Sequence, residues 1–192
     1  MKNLVEGVGI NDGTYLTKIA GKHKKEYLLW KSMLSRCYNI KVQEKSKSYI
    51  DCYVSENFKN YSYFFEWCNK QIGFDIEDYT LDKDLIYKGN KEYSEDNCVF
   101  IPRALNALFI KSDSVRGKLP IGVTENGSNY RARCNVSGVR KNIGTYDTPE
   151  LAFAAYKTFK EAHIKELAEK YKDTIDPRAY LALMNYEVHI DD

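Results

Sequence analysis

The chain has 192 residues, a length that suits one large domain or two small ones. Its 29 Lys and Arg residues against 27 Asp and Glu give a formal net charge of +2, which is too small by itself to indicate a polyanionic partner. Five cysteines, an odd count with no Cys-x-x-Cys pair, argue against a disulfide framework and a structural zinc site, so we expect reduced, mostly buried thiols.

The first segment, residues 1–25, is rich in glycine and basic side chains. It contains neither a signal peptide nor, like the rest of the chain, an apolar run long enough to span a membrane. We therefore expect a cytoplasmic protein without a membrane partner. The segment is interpreted as an ordered arm or a short hairpin, and its positive run Lys22-His23-Lys24-Lys25 as solvated surface.

Two helices are predicted in the next stretch. Apolar residues at helical spacing predict the first helix over Glu26–Tyr38, with Arg36 facing out. A polar loop over Asn39–Ser48 and a short strand over Tyr49–Val54 follow. The second helix is predicted over Asn57–Ile72, and its aromatic stripe is interpreted as core.

Residues 80–109 predict a β-hairpin followed by a helix. The first strand runs over Thr80–Ile86, a loop over Tyr87–Asp96, and the return strand over Asn97–Ile101. Pro102 begins the helix, an early position that suits proline. This order places acids on the first strand and an asparagine one turn into the helix.

The first strand carries the carboxylates of Asp82 and Asp84, and the helix carries the amide of Asn106. The predicted geometry can bring a carboxylate and an amide oxygen to one divalent cation. Mg²⁺ prefers a few oxygen ligands and keeps waters that a phosphodiester can displace. The alternative interpretation is structural, because two acids on a strand commonly make hairpin and loop hydrogen bonds.

Residues 119–156 predict three short strands and a helix. Asn126-Gly127 marks a hairpin turn, Tyr130–Val136 alternates in period two, and a third strand runs over Val139–Tyr146. Asp147-Thr148-Pro149-Glu150 has the cap, proline and acids of a helix start.

The alternation gives the second strand one apolar and one polar face. The apolar face carries Tyr130, Ala132, Cys134 and Val136, and the polar face carries Arg131, Arg133 and Asn135. The apolar face is predicted to pack on the following helix, whose apolar residues recur at helical spacing: Leu151, Ala155, Phe159 and Ala162.

The polar face has the chemistry of a DNA groove reader. Arginine can donate two hydrogen bonds to guanine, and asparagine can pair with adenine. Residues 103–146 hold eight Lys and Arg against two acids, a local net charge of +6 that is typical of contact with a phosphate backbone. The alternative is an ordinary solvated sheet face.

Four motifs in this stretch carry a family resemblance: Gly122-Val123, Tyr130-Arg131-Ala132-Arg133, Gly144-Thr145-Tyr146-Asp147-Thr148, and Glu150-Leu151-Ala152 through Ala155-Tyr156. The stretch resembles the ethylene-response-factor type of DNA-binding domain, known from plant transcription factors and from phage and mobile-element nucleases. The resemblance implies that cations of the strands contact bases and phosphates of double-stranded DNA. The DNA-binding residues expected here are Arg131, Arg133, Asn135, Arg140 and Lys141.

A second set of motifs lies earlier in the chain: Leu81-Asp82-Lys83-Asp84, Gly89-Asn90, Tyr93-Ser94-Glu95-Asp96-Asn97-Cys98 and Asn106, preceded by Trp30-Lys31-Ser32-Met33 and Phe65-x-Trp67. Their arrangement resembles the HNH, or ββα-metal, endonucleases, and more narrowly phage-encoded HNH-type proteins. The resemblance implies that Mg²⁺ or Mn²⁺ is held by Asp82, Asn97 and Asn106. It also implies catalytic roles for Asp82, Lys83 and Asp84.

One departure from the HNH pattern concerns the general base. In HNH enzymes a histidine of the first strand takes the proton from the attacking water, but no histidine lies between residues 24 and 162 here. Lys83 stands beside Asp82 where that histidine would be. A lysine is mostly protonated at neutral pH, so it suits charge stabilisation better than proton abstraction.

Three interpretations of this stretch therefore stay open. It is a working nuclease in which Asp84 or a metal-bound hydroxide replaces the histidine, a degenerate nuclease fold kept for binding DNA, or a scaffold whose acids make only structural hydrogen bonds. Asp82, Asn97 and Asn106 favour the first interpretation, and the missing histidine favours the others.

The predicted fold class is α+β: a helical module with an HNH-like β-hairpin and helix, then a three-stranded antiparallel sheet packed on one helix. The predicted domains are residues 1–110, a linker at 111–117, the DNA-binding domain at 118–172 and a C-terminal tail at 173–192. A last short helix is predicted over Arg178–Tyr186.

The expected function is double-stranded DNA binding by a relative of phage homing-type HNH endonucleases, with metal-dependent cleavage. The expected location is the host cytoplasm if the chain is phage-encoded. The alternative is a non-catalytic DNA-binding regulator or phage anti-defence protein built on a degenerate nuclease fold.

Overall fold

A computed structural model describes residues 4–109, 119–136 and 138–190, and it has the predicted α+β class. The chain forms two compact units. The first comprises Met1–Ile101 and Thr174–Ala179, and the second comprises Pro102–Asp173 and Tyr180–Asp192. This division falls earlier than the predicted boundary at residue 110 and gives parts of the predicted tail to both units. The predicted linker at 111–117 lies outside the described residues.

The first unit opens with a short antiparallel β-hairpin, as the interpretation of residues 1–25 allowed. Strand β1 (Lys18–Ile19) pairs with strand β2 (Lys22–His23). The two turn residues, Ala20 and Gly21, have φ values of 49° and 79°. Such a two-residue turn matches the twist of the flanking strands, which is why the hairpin closes tightly.

Helix α1 (Lys25–Tyr38) confirms the first predicted helix. The indole N–H of its buried Trp30 donates to the carbonyl oxygen of Phe58 at 2.8 Å, so the polar atom of this core residue is satisfied. Arg36 does not face out as predicted. It is half-buried, and its guanidinium carbon lies 5.4 Å from the centroid of the Tyr49 ring.

Asparagine caps explain two differences from the predicted helices. Asn39 accepts a hydrogen bond from the second residue of helix α2 (Ile40–Lys45), so the predicted loop over residues 39–48 is wrong. Asn60 caps helix α3 (Tyr61–Cys68) in the same way. The second helix is therefore shorter than predicted, and a 3₁₀ turn at Asn57–Lys59 precedes it.

The core of the first unit is aromatic. Its rings pack with centroids between 4.7 and 5.8 Å apart along a chain of contacts made by Phe58, Phe64, Trp67 and Phe100. These separations are those of favourable edge-to-face and tilted pairs. The aromatic stripe is therefore core, as predicted.

Two small sheets complete the first unit. Strand β3 (Tyr53–Val54) pairs in parallel with strand β5 (Glu92–Tyr93), which lies in the stretch predicted to be a loop. Strand β4 (Tyr79–Asp82) pairs with strand β6 (Val99–Pro102). The first strand of the predicted hairpin therefore ends at residue 82 rather than 86.

The second unit begins with the short helix α4 (Arg103–Asn106), at the predicted position after Pro102. Strands β7 (Val123–Asn126), β8 (Asn129–Val136) and β9 (Val139–Tyr146) form an antiparallel sheet in sequence order. Helix α5 (Pro149–Tyr171) packs on this sheet. The predicted three-stranded sheet on one helix is confirmed.

Helix α5 begins as predicted, since Thr148 Oγ1 accepts a hydrogen bond from the Leu151 N–H at 3.3 Å. Its buried stripe is Ala152, Tyr156, Lys160, Ile164 and Ala168. Leu151 is 54% exposed, but Ala155 and Phe159 of the predicted stripe pack against the core, so the buried stripe is centred one residue later than predicted. Among the described residues no helix is both long and apolar enough to cross a membrane.

Gly122 explains which side of α5 faces the sheet. It has a φ of +77°, and a Cβ placed on it would lie 2.1 Å from the Tyr156 ring. Only a glycine therefore lets Tyr156 reach the sheet, which turns the residues in register with Tyr156 toward the core.

The predicted tail is part of both units. Within the first unit, Arg178 donates to the Asp96 carbonyl oxygen at 2.9 Å, and the hydroxyls of Tyr79 and Thr174 lie 2.7 Å apart. Within the second unit, the Val188 N–H donates to Glu161 at 2.8 Å. The last helix, α6 (Pro177–Met184), lies within two residues of the predicted bounds.

Candidate nucleic-acid interface

The sheet of the second unit has one face covered by α5 and one face turned away from it. In an antiparallel sheet, directly paired residues point to the same side. Strand β8 pairs Arg131 with Thr145, Arg133 with Asn142, and Asn135 with Arg140. We call the side opposite α5 the open face; its side chains are Thr124, Asn126, Asn129, Arg131, Arg133, Asn135, Arg140, Asn142 and Thr145.

Lys141, one of the predicted DNA-binding residues, does not lie on this open face. It pairs with Cys134, a buried residue of the α5 side. Its ammonium lies 4.9 Å from the centroid of the Phe159 ring on α5, a cation–π contact at the edge of the core. The predicted residues Arg131, Arg133, Asn135 and Arg140 do share the open face.

A β-bulge shifts the register between β8 and β9. Ala132 pairs with Gly144 and the next residue, Arg133, pairs with Asn142, so Ile143 is the extra residue. Ile143 packs against the core of the unit. Asn142 consequently lies on the open face opposite Arg133. Alternation from Arg140 was a signal in the sequence that could have found it.

Arg131 is the most constrained of the three arginines. One of its terminal nitrogens, Nη2, donates to the side-chain oxygen of Asn126 on β7. Its Nε is buried and has no hydrogen-bond partner among the described residues. Arg131 is therefore held across β7 and β8, whereas Arg140 is exposed and Arg133 half-buried.

The open face carries three positive charges and no negative one. The three strands contain a single acid, Glu125, which pairs with Tyr130 and so lies on the other side of the sheet. A cluster of guanidinium and amide groups without a carboxylate attracts phosphate and can read base edges.

The second predicted site centres on Asp82, at the end of β4. Its Oδ1 accepts backbone N–H groups from Asp84 at 3.0 Å and from Leu85 at 2.8 Å, a local turn that ends the strand. Asp82 is only 8% exposed. Burial and the nearby Asp84 charge raise the pKa of Asp82 to about 6, against the opposing effect of those N–H donors and Lys83.

Lys83 is tied into the protein rather than presented to a ligand. It is buried, its ammonium donates to the Asn90 carbonyl oxygen at 2.7 Å, and it lies 3.4 Å from an Asp84 carboxylate oxygen. Asn90 in turn donates to the carbonyl oxygens of Lys83 and Glu92, each at 2.7 Å. These bonds hold the loop between β4 and β5 in place.

Of the three predicted metal ligands, Asp82 and Asn97 lie in the first unit and Asn106 lies in the second. Asn97 donates its amide to Glu92 at 3.0 Å and to Asn90 at 3.4 Å. Asn106 lies on α4, in the second unit. Within the first unit, one carboxylate oxygen of Asp82 is already occupied by two backbone N–H groups. The metal site on Asp82, Asn97 and Asn106 stays a prediction.

The other metal-binding side chains offer no substitute within the described ranges. No group of three or more His, Cys, Asp or Glu residues there is arranged to hold an ion. All five cysteines are free and buried, as expected. Burial raises the pKa of Cys37 to about 12, which leaves its thiol protonated and unreactive at neutral pH.

Comparisons with known proteins give no family assignment. No protein-family model matches the chain, and neither a curated protein nor a solved structure matches it. Its function has to be inferred from the chemistry of its own residues.

Proposed function

We propose that the protein binds double-stranded DNA through the open face of its three-stranded sheet. The observation that supports this most is the cross-strand register, which sets three arginines among asparagines with no acid between them. Guanidinium groups neutralise phosphates, and guanidinium and amide groups match the edges of bases. A DNA partner agrees with a cytoplasmic location, in the host cell if the chain is phage-encoded.

Two arginine–asparagine pairs give the proposed interface its specificity. Arg133 faces Asn142, and Arg140 faces Asn135. Directly opposed residues have Cβ atoms about 4.5–5.5 Å apart, so their side chains reach neighbouring base pairs. Since arginine pairs best with guanine and asparagine with adenine in the major groove, the proposed target has adjacent guanine and adenine positions.

Fluorescence anisotropy with duplexes selected from a random pool tests this proposal. Arg133→Ala and Arg140→Ala should each weaken binding by about 10–100-fold, the equivalent of about 1–3 kcal/mol for a bidentate base contact. Asn142→Ala should relax the preference for adenine without abolishing binding. Lys165→Ala, an exposed cation on α5 of the same unit, is the matched control and should leave affinity nearly unchanged. Affinity unaffected by all three open-face changes would rule out this surface.

We also propose kinship with phage-type HNH endonucleases that carry an ethylene-response-factor-like domain. The order β4, β6, α4 supports the first part, since two paired strands precede a helix as in ββα-metal enzymes. The order β7, β8, β9, α5 supports the second.

Metal-dependent DNA cleavage is a second candidate function, supported by the buried Asp82 carboxylate beside Asp84. The contacts of Lys83 favour the alternative, a non-catalytic DNA-binding regulator or anti-defence protein. Supercoiled plasmid incubated with Mg²⁺ or Mn²⁺ separates them. Nicked product that disappears in Asp82→Asn indicates cleavage, whereas intact but retarded plasmid indicates binding alone.

A further inference from the structure

The β1–β2 hairpin is an exposed element that the sheet interface does not explain. Leu16 is 73% exposed and Ile19 is 59% exposed, so two large aliphatic side chains at this hairpin face solvent. They stand beside Lys18 and Lys22, which are also exposed. Exposed aliphatic groups on a short ribbon indicate a contact surface, because such groups gain nothing from water.

The hairpin is held firmly at its base. The Tyr15 ring stacks on Phe65 with centroids 4.0 Å apart, and its hydroxyl donates to Glu66 at 3.0 Å. The His23 ring stacks on Tyr27 with centroids 5.0 Å apart. A ribbon anchored on both sides presents its tip in a fixed position, so little order would be lost on binding.

The charge of the hairpin defines its partner. Residues 13–25 contain four lysines and one histidine and no acid. Lys24 and Lys25 are engaged at the base, with Glu26 at 3.5 Å and with the Phe74 carbonyl oxygen. Lys18 and Lys22 remain at the tip, on opposite faces of the ribbon, because Lys18 pairs with His23 and Lys22 with Ile19.

We propose that this hairpin is a second DNA-contacting element, in which Lys18 and Lys22 bind backbone phosphates and Ile19 packs against the sugar edge of a groove. A two-stranded β-ribbon is narrow enough to enter a DNA groove. Two aliphatic side chains offer far less apolar surface than the helices that lie on membranes, which favours DNA over a lipid surface. This inference rests on the proposed function of the open face.

The test measures the salt dependence of binding to a duplex several helical turns long, with full-length protein. Each lost phosphate contact lowers the magnitude of the slope of log K against log salt by about 0.9, so Lys18→Gln/Lys22→Gln should lower it by about 1.8. Between about 50 and 200 mM salt, the wild-type protein should then lose about 12-fold more affinity than the variant. Lys41→Gln/Lys45→Gln, two exposed lysines of α2, removes equal charge elsewhere in the unit.

Each outcome decides one point. An equal slope change in the α2 control, or no slope change in the hairpin variant, overturns the hairpin proposal. If the hairpin variant lowers the salt slope while Arg133→Ala and Arg140→Ala leave binding unchanged, the open-face proposal is overturned and the hairpin proposal stands. Hairpin-dependent sedimentation with phosphatidylserine vesicles, combined with an unchanged DNA slope, assigns the hairpin to a membrane and overturns the DNA contact.

Discussion

Asp82 is a buried carboxylate whose surroundings give it an unusual proton affinity. Its burial opposes the charged form, and Asp84 adds repulsion. The folded protein therefore keeps the Asp82 proton over a pH range in which the unfolded chain, with its ordinary pKa of 3.8, has lost it. By linkage, the stability that Asp82 contributes is full below about pH 4 and is lost as pH rises through about 6.

Asp82→Asn removes this titration and keeps an oxygen that can accept the N–H groups of Asp84 and Leu85. We expect the variant to be more stable than the wild-type protein at pH 7 by about 1–3 kcal/mol, because the wild-type carboxylate is then charged and buried. The difference should vanish below about pH 4. Urea unfolding of both proteins at several pH values measures it.

Asp84→Asn is the matched control. Asp84 is exposed, so replacing it should only lower the pKa of Asp82. The pH range over which Asp82 changes the stability of the protein should then become narrower. A wild-type protein and an Asp82→Asn variant with parallel stability curves from pH 4 to 7 would contradict the assigned cause.

At the scale of the elements, the packing of α5 on its sheet depends on one close contact, between Gly122 and the Tyr156 ring. Gly122 gives Tyr156 room that any other residue would fill. Gly127, at the β7–β8 turn, has a similar φ of +66° but nothing within 4 Å of its Cβ position. The two glycines therefore separate the cost of backbone strain from the cost of overpacking.

Gly122→Ala should destabilise the second unit by about 2–5 kcal/mol, the sum of about 1–2 for a left-handed backbone and about 1–3 for overpacking. Gly127→Ala should destabilise the unit only by the backbone contribution of about 1–2 kcal/mol. Denaturant unfolding followed by the near-UV signal of the tyrosines gives both values. Equal losses in the two variants would show that Tyr156 moves aside freely.

The sequence predicts the face of a strand correctly where the two-residue alternation holds along the whole strand. Strict alternation over β8 assigned Arg131, Arg133 and Asn135 to one face correctly. On β9 the bulge at Ile143 shifts the register with β8, but alternation from Arg140 still places Asn142 on the same face. Asn142 was missed although this alternation indicates it, and Lys141, which pairs with Cys134, lies on the other side of the sheet.

The helix α5 shows the same limit. Its boundaries follow from local signals, the Thr148 cap and the proline after it. Its buried stripe does not, since Leu151 and Ala152 are both apolar and only the contact between Tyr156 and Gly122 decides between them. Likewise, the hydrogen bond from Lys83 to the Asn90 carbonyl oxygen depends on the fold of the loop and has no local signal in the sequence.

At the scale of the whole molecule, each unit is built from two separate parts of the chain. Residues 174–179 belong to the first unit and residues from 180 onward to the second. A fragment cut at the predicted boundaries would lack contacts in both units. The domain borders of this protein cannot be read from the position of a linker alone.

Truncation after Asp173 should raise backbone hydrogen exchange in both units. Arg178→Ala should raise it only in the first unit, where the bond to the Asp96 carbonyl oxygen is lost, at a cost of about 1 kcal/mol. Val188→Ala should raise it only in the second unit, where Val188 is 1% exposed. Mass spectrometry resolves the two regions. Unchanged exchange over residues 79–101 in the truncated chain would contradict this assignment.

Because residues 174–179 belong to the first unit, the two parts of that unit leave the ribosome at different times. The nascent first unit has its residues up to 101 early, but Thr174 and Arg178 follow only after the whole of residues 102–173 has been translated. At roughly 5–20 residues per second that wait lasts about 4–14 s. During it, the Tyr79 hydroxyl and the Asp96 carbonyl await their partners. A translational pause between the codons for residues 101 and 174 should therefore prolong the exposure of this surface to chaperones and proteases.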